Sequence, residues 1–225
     1  MRKRETASAR RPCPSGGTHC HPRYAERFAQ WCIATSLKDL SMATYRIAVV
    51  VGSLRKDSIN RTLARALEPL FPAGFSFEHL EIGDLPLYNQ DDDGHEAASV
   101  LRLRSGIQAA QGLLFVSPEY NRSIPGVLKN ALDHGSRPYG RNSWAKKPAG
   151  VIGASIGAAG TAMAQQHLRN VLAYLDVPTL GQPEAFIHAK DDTFAADGSI
   201  GNDGTRKFLQ GWVDAYVGWV QRHAG

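Results

Sequence analysis

The fold is decided by residues 47–60, which read IAVVVGSLRKDSIN. The apolar run at residues 47–51 predicts a buried strand, and residues 61–70 have the apolar spacing of an amphipathic helix. Between them, Gly52 begins a hydroxyl-rich loop that leads into the start of the helix. The unpaired N–H groups and the partial positive charge of a helix N-terminus favour a bound phosphate. The stretch therefore predicts a strand, a phosphate-binding loop and a helix.

The side chains of this loop also suit a phosphate. Ser53 and Ser58 offer hydroxyl donors, Asn60 offers an amide, and Arg55 offers a planar cation. The loop has neither the Gly-Lys-Ser/Thr ending of a Walker loop nor the three-glycine dinucleotide fingerprint. Taken alone, the stretch is also compatible with a serine-capped helix in which Arg55 is solvated, although the phosphate-binding loop is the favoured interpretation.

Strand-like and helix-like segments alternate along the rest of the chain. The further predicted strands are residues 75–82, 113–116, 149–154 and a segment within 179–187, and the further predicted helices are residues 96–110, a helix after Gly126, residues 161–175 and 205–222. This order predicts an α/β fold with a doubly wound, five-stranded parallel sheet in a single domain. The loops after the first, third and fourth strands then meet at the carboxyl edge of the sheet.

The second of these loops, residues 117–126, reads SPEYNRSIPG. Pro118 and Pro125 stiffen its backbone, and Tyr120 and Asn121 offer an aromatic surface and an amide. Such a loop can present backbone N–H groups to a flat, polar-edged heterocycle. It can also be a turn in which Ser123 caps the following helix, and the two interpretations are compatible.

The third loop consists mainly of small residues. Gly153, Gly157 and Gly160 leave room for a planar ring close to the backbone, and Ser155 adds a hydroxyl group. Together the three loops predict a monophosphate at one end of the ligand and a planar ring at the other. That combination favours FMN over a dinucleotide.

Three motifs carry a family resemblance. GSLRKDSIN at residues 52–60, PEYNRSIPGVLKNALD at 118–133 and QQHLR at 165–169 resemble the NADPH-dependent FMN reductase family, in its branch of bacterial quinone and chromate reductases. The resemblance runs from Tyr45 to the C-terminus and implies a flavodoxin-like fold with bound FMN. The cofactor-binding residues that it implies are Ser53, Arg55, Ser58, Ile59 and Asn60 at the phosphate, Pro118, Glu119, Tyr120 and Asn121 beside the ring, and Ser155 and Gly157 at its pyrimidine edge.

Two residues depart from the family pattern. Thr161 stands where the family often has a glycine, and Arg122 stands where an aromatic residue is frequent. We expect Thr161 to tighten the ring pocket or to shift the helix start. We expect Arg122 to alter the preference for substrates at the rim.

The resemblance implies an enzyme that transfers a hydride from NADPH or NADH through FMN to a small acceptor by ping-pong kinetics. The acceptor would be a quinone, a flavin, an azo or nitro compound, or chromate. Because a flavin carries out the hydride chemistry itself, no catalytic side chain is expected. Arg122, Arg137 or Arg141 could favour anionic NADPH or oxyanions, and an ordinary solvated surface position is the equal alternative for each. The alternative is an FMN-binding electron carrier without nicotinamide activity.

The positive charge of the chain is concentrated near its N-terminus. Residues 1–41 carry eight Lys/Arg and three Asp/Glu, whereas the remainder carries 18 of each. The neutral remainder offers no footprint for nucleic acid and no acidic face of the kind that carriers use. No apolar run approaches the roughly 20 residues needed to cross a bilayer. We therefore expect a cytoplasmic enzyme without nucleic-acid or membrane partners, and the resemblance implies a homodimer or homotetramer.

We expect residues 1–41 to be a disordered or over-extended N-terminal extension, with Met42 as the natural start and residues 42–225 as the flavodoxin-like reductase domain. An Arg-rich transit peptide is a second interpretation. All three cysteines, Cys13, Cys20 and Cys32, lie in this extension, so the domain has no cysteine nucleophile. The cysteine and histidine spacing fits no familiar zinc finger, and no metal is expected.

Overall fold

A five-stranded parallel sheet forms the centre of the structure, a computed structural model that describes residues 45–224. The strands are β1 (Tyr45–Val51), β2 (Phe75–His79), β3 (Gly112–Val116), β4 (Ala149–Ser155) and β5 (Phe186–His188). Their order is β2-β1-β3-β4-β5, and every neighbouring pair is parallel. The predicted doubly wound sheet is therefore confirmed. The predictions for residues 1–41 lie outside the described residues.

Helices cover both faces of the sheet. They are α1 (Ile59–Leu67), α2 (Ala98–Ala109), α3 (Gly126–Ser136), α4 (Ala162–Tyr174) and α5 (Asp203–His223). One core cluster holds the buried residues of α1 and α5, and a second holds those of α2, α3 and α4. Glu68–Leu70 continues α1 as a 3-10 helix, because Pro69 has no N–H to donate to the helix.

The apolar run of β1 is buried from both sides. Ile47 and Val49 pack in the cluster of α1 and α5, whereas Ala48 and Val50 pack in the other cluster. All four are at most 1% exposed. Burial on both faces is what a continuous apolar run without polar alternation predicts for the middle of a parallel sheet.

The structure fixes the bounds of two predicted strands. β2 ends at His79 rather than at residue 82, since it is an edge strand that pairs with β1 alone. Within residues 179–187, Thr179 makes only an isolated bridge to Ala149, and the strand proper begins at Phe186. The segment between them forms no strand, and β5 has three residues.

Tyr216 anchors α5 against the sheet. Its ring stacks on Trp212 at a centroid distance of 5.5 Å, and its hydroxyl donates to Leu113 O at 2.7 Å. Complete burial raises the pKa of this phenol well above its ordinary value. The helix is thus fixed in position along its inner face.

Gly153 gives a test of close packing beneath the site. A Cβ at this position in β4 would overlap Ser117 O and Thr161 Oγ1, whereas a Cβ at Gly211 in α5 would meet nothing within 4 Å. We expect Gly153→Ala to lower the free energy of unfolding by about 1–3 kcal/mol through overpacking. The control Gly211→Ala should raise it by about 0.5–1 kcal/mol through helix propensity. Urea denaturation measures both, and equal stability of the two variants would contradict the packing.

Candidate active site

The loop at residues 52–58 leads from the carboxyl end of β1 into α1. Ser53 and Ser58 are each only 4% exposed, whereas Arg55 is exposed. Gly52 N donates to Val116 O at 2.9 Å, and a Cβ on Gly52 would overlap Ser117 Oγ. The glycine therefore allows this loop to begin in direct contact with the loop that follows β3.

The N-terminus of α1 is capped by Ser58 and has no acidic residue in its first turn. Ser58 has an extended backbone, with φ −82° and ψ 116°, and its Oγ accepts from Arg61 N at 3.3 Å. The amides of Ile59 and Asn60 have no partner within the helix, because they belong to its first turn. This end of α1 can therefore receive an anion as well as serve as an ordinary serine cap.

The side chain of Asn60, which the family resemblance implies as a phosphate ligand, bonds to the end of β4. It is 3% exposed, its Nδ2 donates to Ala154 O at 2.9 Å, and its Oδ1 accepts from Ala154 N at 2.9 Å. Both polar atoms of the side chain thus have protein partners. Asn60 joins the start of α1 to the end of β4, and so it sets the distance between the first and third loops.

The second loop contains a tight turn. Tyr120 N donates to Ser123 O at 2.9 Å, and Ser123 N donates to Tyr120 O at 3.0 Å. Asn121 and Arg122 between them have φ values of 51° and 66°, as the central residues of a type I′ turn do. Asparagine tolerates this region, whereas an arginine there costs about 1–2 kcal/mol. The turn presents Tyr120, Asn121 and Arg122 to solvent.

Glu119 joins the second loop to α4. Its Oε2 accepts from Met163 N and from Ala164 N, each at 3.0 Å. Thr161 at the N-cap provides no side-chain hydrogen bond to these amides, and the first turn of α4 has no acidic residue. A carboxylate is favourable at a helix N-terminus and makes strong hydrogen bonds to amides. Glu119 therefore holds the loop that carries Pro118 and Tyr120.

The third loop follows β4. Ser155 Oγ accepts from Gly157 N at 3.1 Å, and residues 156–159 are exposed. Thr161 is fully buried, and its Oγ1 accepts from Gln165 Nε2 at 2.9 Å. Its side chain lies against Gly153 within the protein, and α4 begins at Ala162, one residue after the predicted start. The departure from the family pattern is thus accommodated beneath the loop.

Sequence reasoning missed the pairing of Ser123 with His167. Ser123 was expected to cap α3, but the N-cap of that helix is Pro125, without a side-chain hydrogen bond. Ser123 Oγ instead lies 3.0 Å from His167 Nδ1. The two residues are 44 positions apart, and no spacing pattern in the sequence connects them. Their contact is a second link between the second loop and α4.

Residues 45–224 contain neither a metal-binding cluster nor a membrane-spanning helix. No group of three or more His, Cys, Asp or Glu residues in this range could hold a metal ion. In the same range, no helix combines the length and the apolar character needed to cross a membrane. Cys13, Cys20 and Cys32 lie outside the described residues.

Comparison with known proteins places this arrangement in a family. The model of the NADPH-dependent FMN reductases matches residues 45–192. A 2-hydroxy-1,4-benzoquinone reductase from Burkholderia sp. is 52% identical over 176 residues, which cover 78% of this chain and 96% of that protein. A quinone reductase from Pseudomonas putida is 47% identical over 178 residues, which cover 79% and 95%. The solved structure of FerB, a flavoenzyme NAD(P)H:(acceptor) oxidoreductase from Paracoccus denitrificans, has a TM-score of 0.77 and 48% identity, covering 80% of this chain and 99% of that one.

The chain belongs to the NADPH-dependent FMN reductase family. This confirms the predicted family, the flavodoxin-like fold and FMN as the cofactor, with NAD(P)H as the co-substrate. It also confirms an NAD(P)H-dependent oxidoreductase rather than an electron carrier without nicotinamide activity.

Replacement of Glu119 tests its function as a link between the second loop and α4. Glu119→Ala removes the acceptor of two amides, and we expect the free energy of unfolding to fall by about 1–3 kcal/mol. Glu119→Gln keeps one acceptor oxygen but loses the charge. Its free energy of unfolding should therefore fall less than that of Glu119→Ala. Thermal and urea denaturation at neutral pH give both values. Wild-type stability of Glu119→Ala would show that the link contributes nothing.

Proposed function

We propose that this enzyme uses NAD(P)H to reduce quinones, with FMN held by the three loops at the carboxyl edge of the sheet. The observation that carries the assignment of the site is the start of α1, which follows Ser53 and Arg55 and has no acidic residue in its first turn. The names of the relatives support a quinone as the acceptor.

The residues of the first loop fit a phosphate monoester. Ser53 and Ser58 would bind it through their hydroxyl groups, Arg55 through its charge, and Ile59 through its amide. The side chain of Arg55 makes no ion pair with the described residues, so its charge is available. Asn60, which binds Ala154, would position this loop and has a second amide N–H that can donate to the phosphate.

The second and third loops fit a planar ring. Pro118, Tyr120 and Asn121 would lie beside it, and Ser155 and Gly157 would approach its polar edge. FMN, when bound, supplies the centre that accepts a hydride and passes two electrons to the acceptor. Glu119 contributes by holding the second loop on α4.

The surface around these loops is open. Tyr120 is 47% exposed and Ile156 is 78% exposed, so apolar groups border the site from the second and third loops. A flat, weakly polar molecule such as a quinone can lie on such a surface, and an open site allows two substrates to bind in turn. Reduction of flavins, azo or nitro compounds and chromate, assembly as a homodimer or homotetramer, and a cytoplasmic location stay predictions that rest on the family resemblance.

Rapid mixing tests the proposed function. The FMN-loaded enzyme should lose its visible flavin absorbance on mixing with NADPH or NADH, and it should regain the absorbance on mixing with 1,4-benzoquinones under anaerobic conditions. Quinones should reoxidise the reduced flavin, and so restore its absorbance, at a higher kcat/KM than free flavin, azo dyes or chromate. Failure of both nucleotides to bleach the flavin would overturn the proposal, and so would a protein that takes up no FMN.

Arg55 gives a separate test of the phosphate site. Removing one charge-assisted hydrogen bond in Arg55→Gln should weaken FMN binding about ten-fold. Riboflavin, which lacks the phosphate, should bind the variant and the wild type equally. Quenching of flavin fluorescence measures both affinities. Equal losses of affinity for FMN and riboflavin would show that the phosphate does not bind at Arg55.

A further inference from the structure

A cavity of about 790 Å³ lies next to the phosphate-binding loop. Its near end is formed by residues 56–59 and by Ile156, which belong to the first and third loops. From there it continues between α1 and residues 189–200. Its volume is in the range of small-molecule sites. The cavity is therefore continuous with the proposed FMN site but extends well beyond it.

Hydrogen bonds and core packing hold the walls of this cavity in place. Residues 193–201 form a short hairpin, with an antiparallel bridge between Phe194 and Ile200 and a hydrogen bond of 2.8 Å from Ala195 N to Ser199 O. Ile200 is buried in the same core cluster as the inner side of α1. The space between the hairpin and α1 is thus bounded by hydrogen-bonded and packed structure.

Five cationic residues line the cavity. They are Lys56, Arg61, Arg65, Lys190 and Arg206. None of them forms an ion pair within 4 Å with a carboxylate among residues 45–224. Arg61 and Arg65 are one helical turn apart on the same side of α1, whereas Arg206 comes from the start of α5. The lining of this cavity thus includes arginines from two elements far apart in sequence, although Arg61 and Arg65 also border a second, smaller cavity next to Ser53 and His79.

Three carboxylates lie in the same lining. Asp57 and Asp191 are exposed, and Asp197 accepts from Ser199 N at 2.9 Å. That hydrogen bond holds the pKa of the Asp197 carboxyl below its ordinary value, so the group is charged at neutral pH. Five cations against three carboxylates leave an excess of positive charge. Residues 42–225 as a whole carry 18 Lys/Arg and 18 Asp/Glu, so this excess is local and favours an anionic ligand.

We propose that this cavity binds the adenosine end of NADPH, with Arg65 and Arg206 binding its 2′-phosphate, and that the enzyme therefore prefers NADPH to NADH. The inference rests on the proposed function. Lys56 and Arg61, nearer the FMN site, would face the diphosphate. Guanidinium groups bind phosphates through paired, charge-assisted hydrogen bonds. Arg206 and the hairpin lie beyond the residues that the family model matches.

The arrangement assigns this preference to arginines other than those expected from the sequence. Arg122 lies on the exposed turn of the second loop, and Arg137 and Arg141 follow α3. None of the three lines this cavity. Arg122→Gln is therefore a discriminating variant, since the two assignments predict opposite results for it.

Steady-state kinetics with the FMN-loaded enzyme give the first test. Arg65→Gln and Arg206→Gln should each lower kcat/KM for NADPH about ten-fold or more, and should change kcat/KM for NADH less than two-fold. Lys207→Gln is the matched control, because Lys207 is exposed, adjacent to Arg206 and outside the cavity lining. This control and Arg122→Gln should keep the wild-type ratio of the two nucleotides.

Calorimetric titration gives a second readout that does not depend on turnover. Adenosine 2′,5′-bisphosphate should bind the FMN-loaded wild type at least ten-fold more tightly than 5′-AMP, which lacks the 2′-phosphate. Arg65→Gln and Arg206→Gln should remove this difference, and Lys207→Gln should keep it.

Three results would overturn the assignment. The first is an equal loss of kcat/KM for NADPH and NADH in Arg65→Gln and Arg206→Gln, and the second is unchanged kinetics in both of these variants. The third is a loss of NADPH preference in Arg122→Gln instead. A wild type that oxidises both nucleotides with no effect of the variants removes this inference alone. A wild type that oxidises neither removes the proposed function, and the titration then still decides whether the cavity binds a 2′-phosphate.

Discussion

The paired hydrogen bonds between Asn60 and the backbone of Ala154 hold the functional edge of this protein together. They are buried, and each polar atom of the side chain is matched by a backbone group. Without them, a backbone N–H and C=O at the end of β4 would lack partners in the interior, which costs about 1–3 kcal/mol for each group. This constraint fixes α1 against β4. The remaining contacts at the edge, from Gly52 to Val116 and from Glu119 to α4, then determine where the second loop can lie.

Neighbouring residues in the loops divide the tasks of holding the site and of facing a ligand. Glu119 satisfies helix amides, whereas Tyr120, the next residue, is half exposed beside the open face. In the same way, Asn60 is turned into the protein, whereas Arg55 of the first loop is exposed. A flavin enzyme depends on such support because the cofactor performs the chemistry and the protein supplies orientation. Mutations at the supporting residues should therefore affect stability as well as function.

The sequence predicted the elements that depend on local patterns, and it failed where distant contacts decide. The apolar run of β1 and the serine before α1 are local signals, and both elements were predicted within two residues at their starts. The partner of Asn60 lies 94 residues away and that of Glu119 lies 44 or more away, so nothing near either residue could show its contacts. The spacing of Arg61 and Arg65 was visible as one helix face. Their convergence with Arg206 follows only from the packing of α1 and α5 on the same side of the sheet.

The two helix starts at the carboxyl edge have opposite electrostatic character. At α4, the carboxylate of Glu119 already occupies the amides and neutralises the positive end of the helix. At α1, only a neutral serine caps the helix, and no acidic residue follows in the first turn. An anionic group arriving at this edge is therefore accepted at one end and excluded at the other. A ligand with a single charged tail is therefore expected to lie with that tail toward α1 and its uncharged end toward α4.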